Sequence, residues 1–69
     1  MAIKDEKVIL IEVKAHVNKS DVTIFRKKAE LYERVTGKRV DRLIVVSPYV
    51  DEGAFEACRE LGIEVCTSV

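Results

Sequence analysis

Apolar and polar positions alternate in three different ways along this chain, and each predicts a different element. Over residues 7 to 15, Ile9, Ile11, Val13 and Ala15 form one wholly apolar set, whereas Val8, Leu10, Glu12, Lys14 and His16 form the other. A strand sends residues i and i+2 to the same face, so this segment predicts a strand whose second face turns polar toward its C-terminal end. From Asn18 or Ser20, either of which suits a helix cap, the spacing lengthens: Val22, Phe25, Ala29 and Tyr32 recur at helical intervals to about Thr36, and Gly37 supplies the left-handed stop. Ile24, Leu31 and Val35 are expected to widen that stripe. Residues 41 to 47 contain Leu-Ile-Val-Val with no alternation, as in a strand covered on both faces, and Pro48 ends it. Asp51 is placed to cap a second helix, Glu52 to Leu61, with Ala54, Phe55, Cys58 and Leu61 inward and Gly62 as its stop. Ile63 to Thr67 reads as a third strand, at an edge because Glu64 interrupts it.

The order β-α-β-α-β predicts an α/β fold with a small, mainly parallel three-stranded sheet and two helices, since helical crossovers join parallel strands with right-handed connections. In spatial order 1-2-3 both helices fall on one sheet face and leave the other bare. Either the first strand lies in the middle, or the bare face is covered by another molecule. Association is the favoured expectation, because 69 residues bury only about 60% of their unfolded surface. A homo-oligomer, with a dimer favoured, follows.

Composition narrows the class. With 48% hydrophobic and 35% charged residues the chain is globular rather than disordered. No apolar run approaches the roughly 20 residues of a membrane span, and no export signal is visible, so no membrane and a cytoplasmic location are expected. Glu, Lys, Arg, Val and Ile dominate, Gln and Trp are absent and Asn occurs once, a bias like that of hyperthermophile proteins. Cys58 and Cys66 form no CxxC pair. They are expected as small buried hydrophobes, with a disulfide as the alternative. Net charge is zero, but residues 1 to 40 carry ten Lys/Arg against six Asp/Glu, and residues 41 to 69 carry two against six. The halves therefore bear +4 and −4, and the basic half holds the polar strand end.

That strand end carries the candidate chemistry. Glu12 and Lys14 project together from a strand otherwise built for burial, where charge is kept only if it is paired, binds a metal, or opens onto a cleft. A carboxylate here suits Mg²⁺ or Mn²⁺, hard ions that take oxygen ligands, and a lysine two residues on would sit beside a metal-bound water. The pair suits phosphodiester hydrolysis; an ordinary i,i+2 ion pair is the plain alternative. Lys28 lies one turn from both Phe25 and Tyr32, on the inward face of the helix, or else its stem packs while its amine reaches water. Arg26, Lys27, Arg34, Lys38 and Arg39 offer a basic surface for a phosphate backbone, or a solvated helix with Glu30 pairs. His16, on the face of Glu12 and Lys14, is a candidate for a metal or phosphate role or else a rim histidine, and Ser47 and Tyr49 are candidates to line the same cleft or simply to end the strand.

The run Val-Ile-Leu-Ile-Glu-Val-Lys-Ala-His, the capped helix with Phe25, Lys28 and Tyr32, and the strand Leu-Ile-Val-Val-Ser together resemble the PD-(D/E)xK nuclease superfamily. The likeness is greatest to small archaeal members related to Holliday-junction resolvases and restriction endonucleases. It implies a truncated restriction-endonuclease-like fold over residues 1–69, matching the second half of an αβββαβ core. It implies DNA as substrate, Glu12 and the carbonyl of Val13 as metal ligands, Lys14 as the residue that orients water, and Lys28 as a helix residue turned toward the site. The family's other acid belongs to a preceding strand, which here is missing or cut down to Met1 to Lys4; Asp5 and Glu6 are the only upstream acids. The second acid is therefore expected from a partner subunit or another chain. A non-catalytic assembly module that keeps the half-fold is the competing expectation. Rossmann-like and thioredoxin-like fragments are disfavoured by the lack of GxGxxG and CxxC.

Overall fold

In a computed structural model, which describes residues 7–67, the chain forms β1 (Val8–Val13), β2 (His16–Val17), α1 (Lys19–Thr36), β3 (Val40–Val46), β4 (Tyr49–Val50), α2 (Glu52–Leu61) and β5 (Glu64–Cys66). Three strands make a parallel sheet in the order β1-β3-β5, so the first strand lies at an edge and not in the middle. Leu10 pairs with Leu43, Glu12 with Val45, and Val45 with Val65. These residues share the face that packs on both helices. Leu43 and Val45 are buried in one cluster with Val22, Phe25 and Ala29 of α1 and Ala54 and Cys58 of α2.

The other face is bare. Ile9, Ile11 and Val13 are 42%, 57% and 72% exposed, and their register partners Ile44 and Val46 are only half-buried. The unalternating apolar run of β3 is thus covered on one face, not two. Arg42 and Glu64 close one end of this face with two hydrogen bonds of 2.7 and 2.6 Å. The bond to Glu64 holds the Arg42 guanidinium above its ordinary range and the Glu64 carboxyl below its own.

Local signals account for the helix limits. Asn18, rather than Ser20, caps α1: its side chain accepts the Asp21 amide at 3.0 Å while the Asp21 carboxylate accepts the Asn18 amide at 3.0 Å. Gly37, at φ 70°, turns its amide back to the Glu33 carbonyl at 2.9 Å, a backbone conformation that side chains with a Cβ resist. Asp51 occupies the cap position of α2, but its side chain makes no capping bond. It is taken by His16 instead.

The strand predicted over 7–15 stops short. β1 ends at Val13, the chain bends at Ala15, and β2 re-forms as a short parallel pair with β4, His16 opposite Tyr49 and Val17 opposite Val50. Val17 is drawn into the core, and the bend lets it get there. Ile24, Leu31 and Val35 are exposed rather than part of the inward stripe of α1, and Phe55 and Leu61 are likewise substantially exposed on α2. The small sheet is narrower than the apolar arcs of its helices, so the flanks of those arcs have nothing beneath them. Cys58 is buried, which raises its thiol above the ordinary range, but Cys66 is exposed; both are free thiols. The exposure of Cys66 sets aside the shared burial, and no disulfide joins the two. Among the described residues no helix is long and apolar enough to cross a membrane.

Candidate active site at the C-terminal end of the first strand

Open parallel sheets gather ligands beyond the C-terminal ends of their strands. At that end of β1, two acid–amine pairs bridge the strand to α1. Glu12 is on the helix-facing side, its side chain 29% exposed, with Oε2 3.8 Å from Nζ of Lys28. Lys14, one step past the strand, places Nζ 2.8 Å from Oδ1 of Asp21. Glu12, Lys14 and Lys28 therefore all lie between the C-terminal end of β1 and α1, Lys28 by reaching from its exposed helix position to the strand rather than by burial.

Asp21 is the residue that pattern reading passed over. It stands three positions after Asn18, the spacing of a capping box, and that signal was available. Its carboxyl is held below its ordinary 3.8, first by the Lys14 hydrogen bond and then by the Asn18 amide, with Lys14 and His16 charges adding and burial opposing. The helix cap and the lysine thus share one carboxylate. One of its oxygens fixes the start of α1 and the other fixes where the Lys14 amine sits.

Val13 contributes backbone rather than side chain. Because the Lys14 amide donates to the Val46 carbonyl at 3.1 Å, the alternation of a parallel ladder turns the amide and carbonyl of Val13 away from β3, toward the open edge. An oxygen donor is therefore available there beside the Glu12 carboxylate. These are the hard donors that a divalent cation accepts. They suit it in kind but are too few: among the described residues no group of three His, Cys, Asp or Glu side chains is placed to hold a metal ion. Asp5 and Glu6 lie outside the described residues.

His16 does not join Glu12 and Lys14 directly. Its Nε2 lies 2.8 Å from Oδ1 of Asp51, tying β2 to the start of α2. Ser47 is fully buried and satisfied by backbone, donating to the Tyr49 carbonyl at 2.9 Å and accepting the Tyr49 amide at 3.2 Å. It ends β3 and joins neither acid–amine pair. Tyr49 is 71% exposed beside His16.

The basic residues are spread along α1 rather than gathered. Lys27 and Arg34, seven apart, share an outward line; Arg26 is turned from it and pairs with Glu30 at 3.7 Å. Lys38 and Arg39 follow the end of α1, next to the start of β3 and so at the opposite end of the sheet from Glu12. A concavity of about 660 Å³ lies between α2 and β5 and is lined by Phe55, Cys58, Ile63 and Val65 with Glu52, Glu56 and Arg59. It lies apart from the acid–amine pairs at the strand end, none of which contributes to it.

A family model described as the PD-(D/E)XK nuclease superfamily matches residues 1–64 of the 69-residue chain. Neither a curated relative nor a solved structure matches it significantly.

Proposed function

The chain belongs to the PD-(D/E)XK nuclease superfamily, and from that premise we propose that Glu12, Lys14 and Lys28 are its share of a metal-dependent DNA endonuclease site. A second copy of the chain, or another polypeptide, completes that site. The observation that carries the reading is the meeting of Glu12 with Lys28 and of Lys14 with Asp21 at one strand end. Nucleases of this superfamily generally use divalent metals. In this chain Glu12 and the Val13 carbonyl would hold Mg²⁺ or Mn²⁺, which supplies Lewis acidity toward a phosphate.

The residues' own parts follow from their positions. Hydrolysis forms one P–O bond from water and breaks another, so a proton leaves the water and one reaches the departing oxygen. Lys14, steadied by Asp21, is aimed to orient the water and to offset charge on the phosphate. Lys28 balances Glu12 in the resting chain and turns to a phosphate oxygen when substrate arrives. Lys27 and Arg34 extend the cationic surface along α1.

Assembly is the second part of the proposal. Among the described residues one sheet face is bare and the outer edge of β1 is unpaired, which favours a homo-oligomer, most simply a dimer, because soluble monomers rarely expose contiguous apolar patches above a few hundred Å². The same face favours the competing reading of a non-catalytic assembly module, as does the short metal-donor set. Cleavage assays on duplex, junction and single-stranded DNA with Mg²⁺ or Mn²⁺ separate the two, run beside light scattering. Hydrolysis that disappears in Glu12→Ala and Lys14→Ala supports the nuclease. A stable oligomer that cleaves nothing, and whose stability is indifferent to chelators and to Glu12→Ala, supports the module.

A further inference from the structure

Two apolar surfaces of opposite charge lie outside both the core and the strand-end pairs. The first is on α1. Ile24, Leu31 and Val35 are 50%, 55% and 75% exposed, and the helical repeat sets them within about 40° of one another. They form a stripe about 16 Å long, with Lys28 along one side and Lys27 and Arg34 along the other. Lys28 reaches Glu12 of β1, whereas Arg26 and Glu33, on the far side of the helix, line a cleft with Leu61 and Gly62 at the end of α2. The stripe therefore overlooks the β1 edge of the sheet.

The second surface lies at the opposite edge. β5 is the outer strand there, and the concavity between it and α2 runs along the helix from Glu52 to Arg59, with Phe55, Ile63 and Val65 as its apolar lining. Glu52 and Glu56 border it against a single Arg59. With 10 residues, α2 is about 15 Å long, which matches the stripe. An exposed apolar stripe on one helix and an open apolar groove of equal length are the two halves of a helix-in-groove contact.

Charge decides what occupies the groove. Among the described residues Lys27 and Arg34 have no ion pair, and neither have Glu52 and Glu56. Two α1 stripes face to face would set cations against cations, and two grooves would set carboxylates against carboxylates. Stripe against groove brings opposite charges together and covers both apolar surfaces. The same complementarity runs through the whole chain, whose basic half contains the stripe and whose acidic half contains the groove.

We infer that the α2–β5 groove of one copy takes the α1 stripe of a second copy. Because stripe and groove stand at opposite edges of the sheet, the contact is head-to-tail. Each docked copy still offers a free stripe or groove, so the assembly extends as a chain or closes as a ring. This goes beyond the nuclease reading and is separate from association through the bare sheet face. It uses the cations that would extend the DNA surface along α1, so a docked copy and DNA compete for them.

The test pairs two full-length variants: Leu31→Asp, which spoils the stripe and keeps the groove, and Phe55→Asp, which spoils the groove and keeps the stripe. Both positions are exposed, and circular dichroism with urea titration checks that each variant folds. Fluorescence anisotropy of a labelled copy titrated with unlabelled copies compares each variant against itself and against the other. Association through the bare sheet face contributes equally to all three titrations. The mixed pair is expected to bind about tenfold or more tighter than either self-pair, the worth of one buried apolar anchor. That excess should fall when salt is raised from about 0.05 M to about 0.5 M. It should disappear when the Leu31→Asp copy also carries Glu52→Lys and Glu56→Lys, and return when the Phe55→Asp copy then carries Lys27→Glu and Arg34→Glu. A mixed pair no tighter than the self-pairs overturns the inference and leaves the strand-end site untouched. An excess indifferent to salt and to the charge reversals overturns it as well, because charge then plays no part in choosing the occupant.

Discussion

The two faces of β1 differ by one residue of register and by almost everything else. Toward the helices, Leu10 packs against the buried core and Glu12, a charge, is largely covered and matched by Lys28. Away from them, Ile9, Ile11 and Val13 are wholly apolar and face no part of the described chain. Each face inverts the usual placement, with charge under cover and hydrocarbon in the open. The inversion teaches that two demands act on one strand. On the proposed reading, the covered face keeps a charge because a site at the strand end needs it, and the open face keeps its hydrocarbon for a partner to cover.

The largest expected effect breaks the comparison at the covered face. Glu12→Ala and Lys14→Ala should each lower metal-dependent DNA cleavage by about 10²- to 10⁴-fold, the range for a group acting on water or proton in the transition state. Circular dichroism should remain that of the wild type. Cleavage within a few-fold of wild type in either variant removes that residue from the site.

Packing gives the next contrast. Leu43→Ala, on the covered face, is expected to cost about 2–5 kcal/mol of unfolding free energy, as buried leucines do. Ile9→Ala, 42% exposed on the bare face, should cost well under half of that when the protein is dilute enough to be monomeric. Similar losses in urea titrations of the two dilute variants would mean that the bare face is not bare in solution.

Assembly is sharpened by Ile11→Asp, at the centre of the open face. It should raise a dimer's dissociation constant by about 30- to 1,000-fold, since each of the two copies forfeits roughly 1–2 kcal/mol of burial. A solution mass unchanged from a dimeric wild type, measured by light scattering across dilution, places the interface elsewhere, with the β1 edge as the next surface to probe.

The smallest effect is electrostatic. Folding lowers the Asp21 carboxyl below its ordinary 3.8, so the ionised group stabilises the fold above that value, and this contribution disappears as pH falls through the lower folded value. Glu64, lowered from 4.5 by Arg42 on the bare face, acts in the same direction over a neighbouring window. Thermal melts between pH 5 and pH 2 should therefore show a shallower acid-side decline for Asp21→Asn than for wild type. An unchanged slope would show that its hydrogen bond to Lys14 contributes nothing to folding. Glu64 is half-exposed, so its contribution is small and falls with added salt.

Much of the fold was legible because its signals are local. The i,i+2 alternation of β1 separated Glu12 and Leu10 from Ile9 and Ile11, Gly37 and Gly62 marked both helix stops, and Asp51 marked the start of α2. The parallel order and the bare face followed from handed connections between those elements. What failed was longer in range. Ile24, Leu31 and Val35 satisfy helical spacing, but whether an apolar flank is buried depends on how wide a sheet lies beneath it. Cys66 looks like Cys58 until β5 turns it to the open face. The break at Ala15 was hidden as well, because Val17 leaves the strand's alternation only to reach the core.

The site divides along the same line. Glu12, Val13 and Lys14 are three consecutive residues of one strand, so their mutual geometry is a property of the backbone and the sequence determined it. Lys28 and Asp21 meet them only because α1 crosses back over β1, seven residues from Lys14 in one case and sixteen from Glu12 in the other. Tyr49 stands beside His16 only because β4 pairs with β2 across 33 residues. Sequence alone therefore fixed which groups one strand end presents and left one sheet face apolar. Tertiary structure decided which amines answer those groups, because partners far apart in the chain are selected by where helices and strands cross, and no local propensity encodes a crossing.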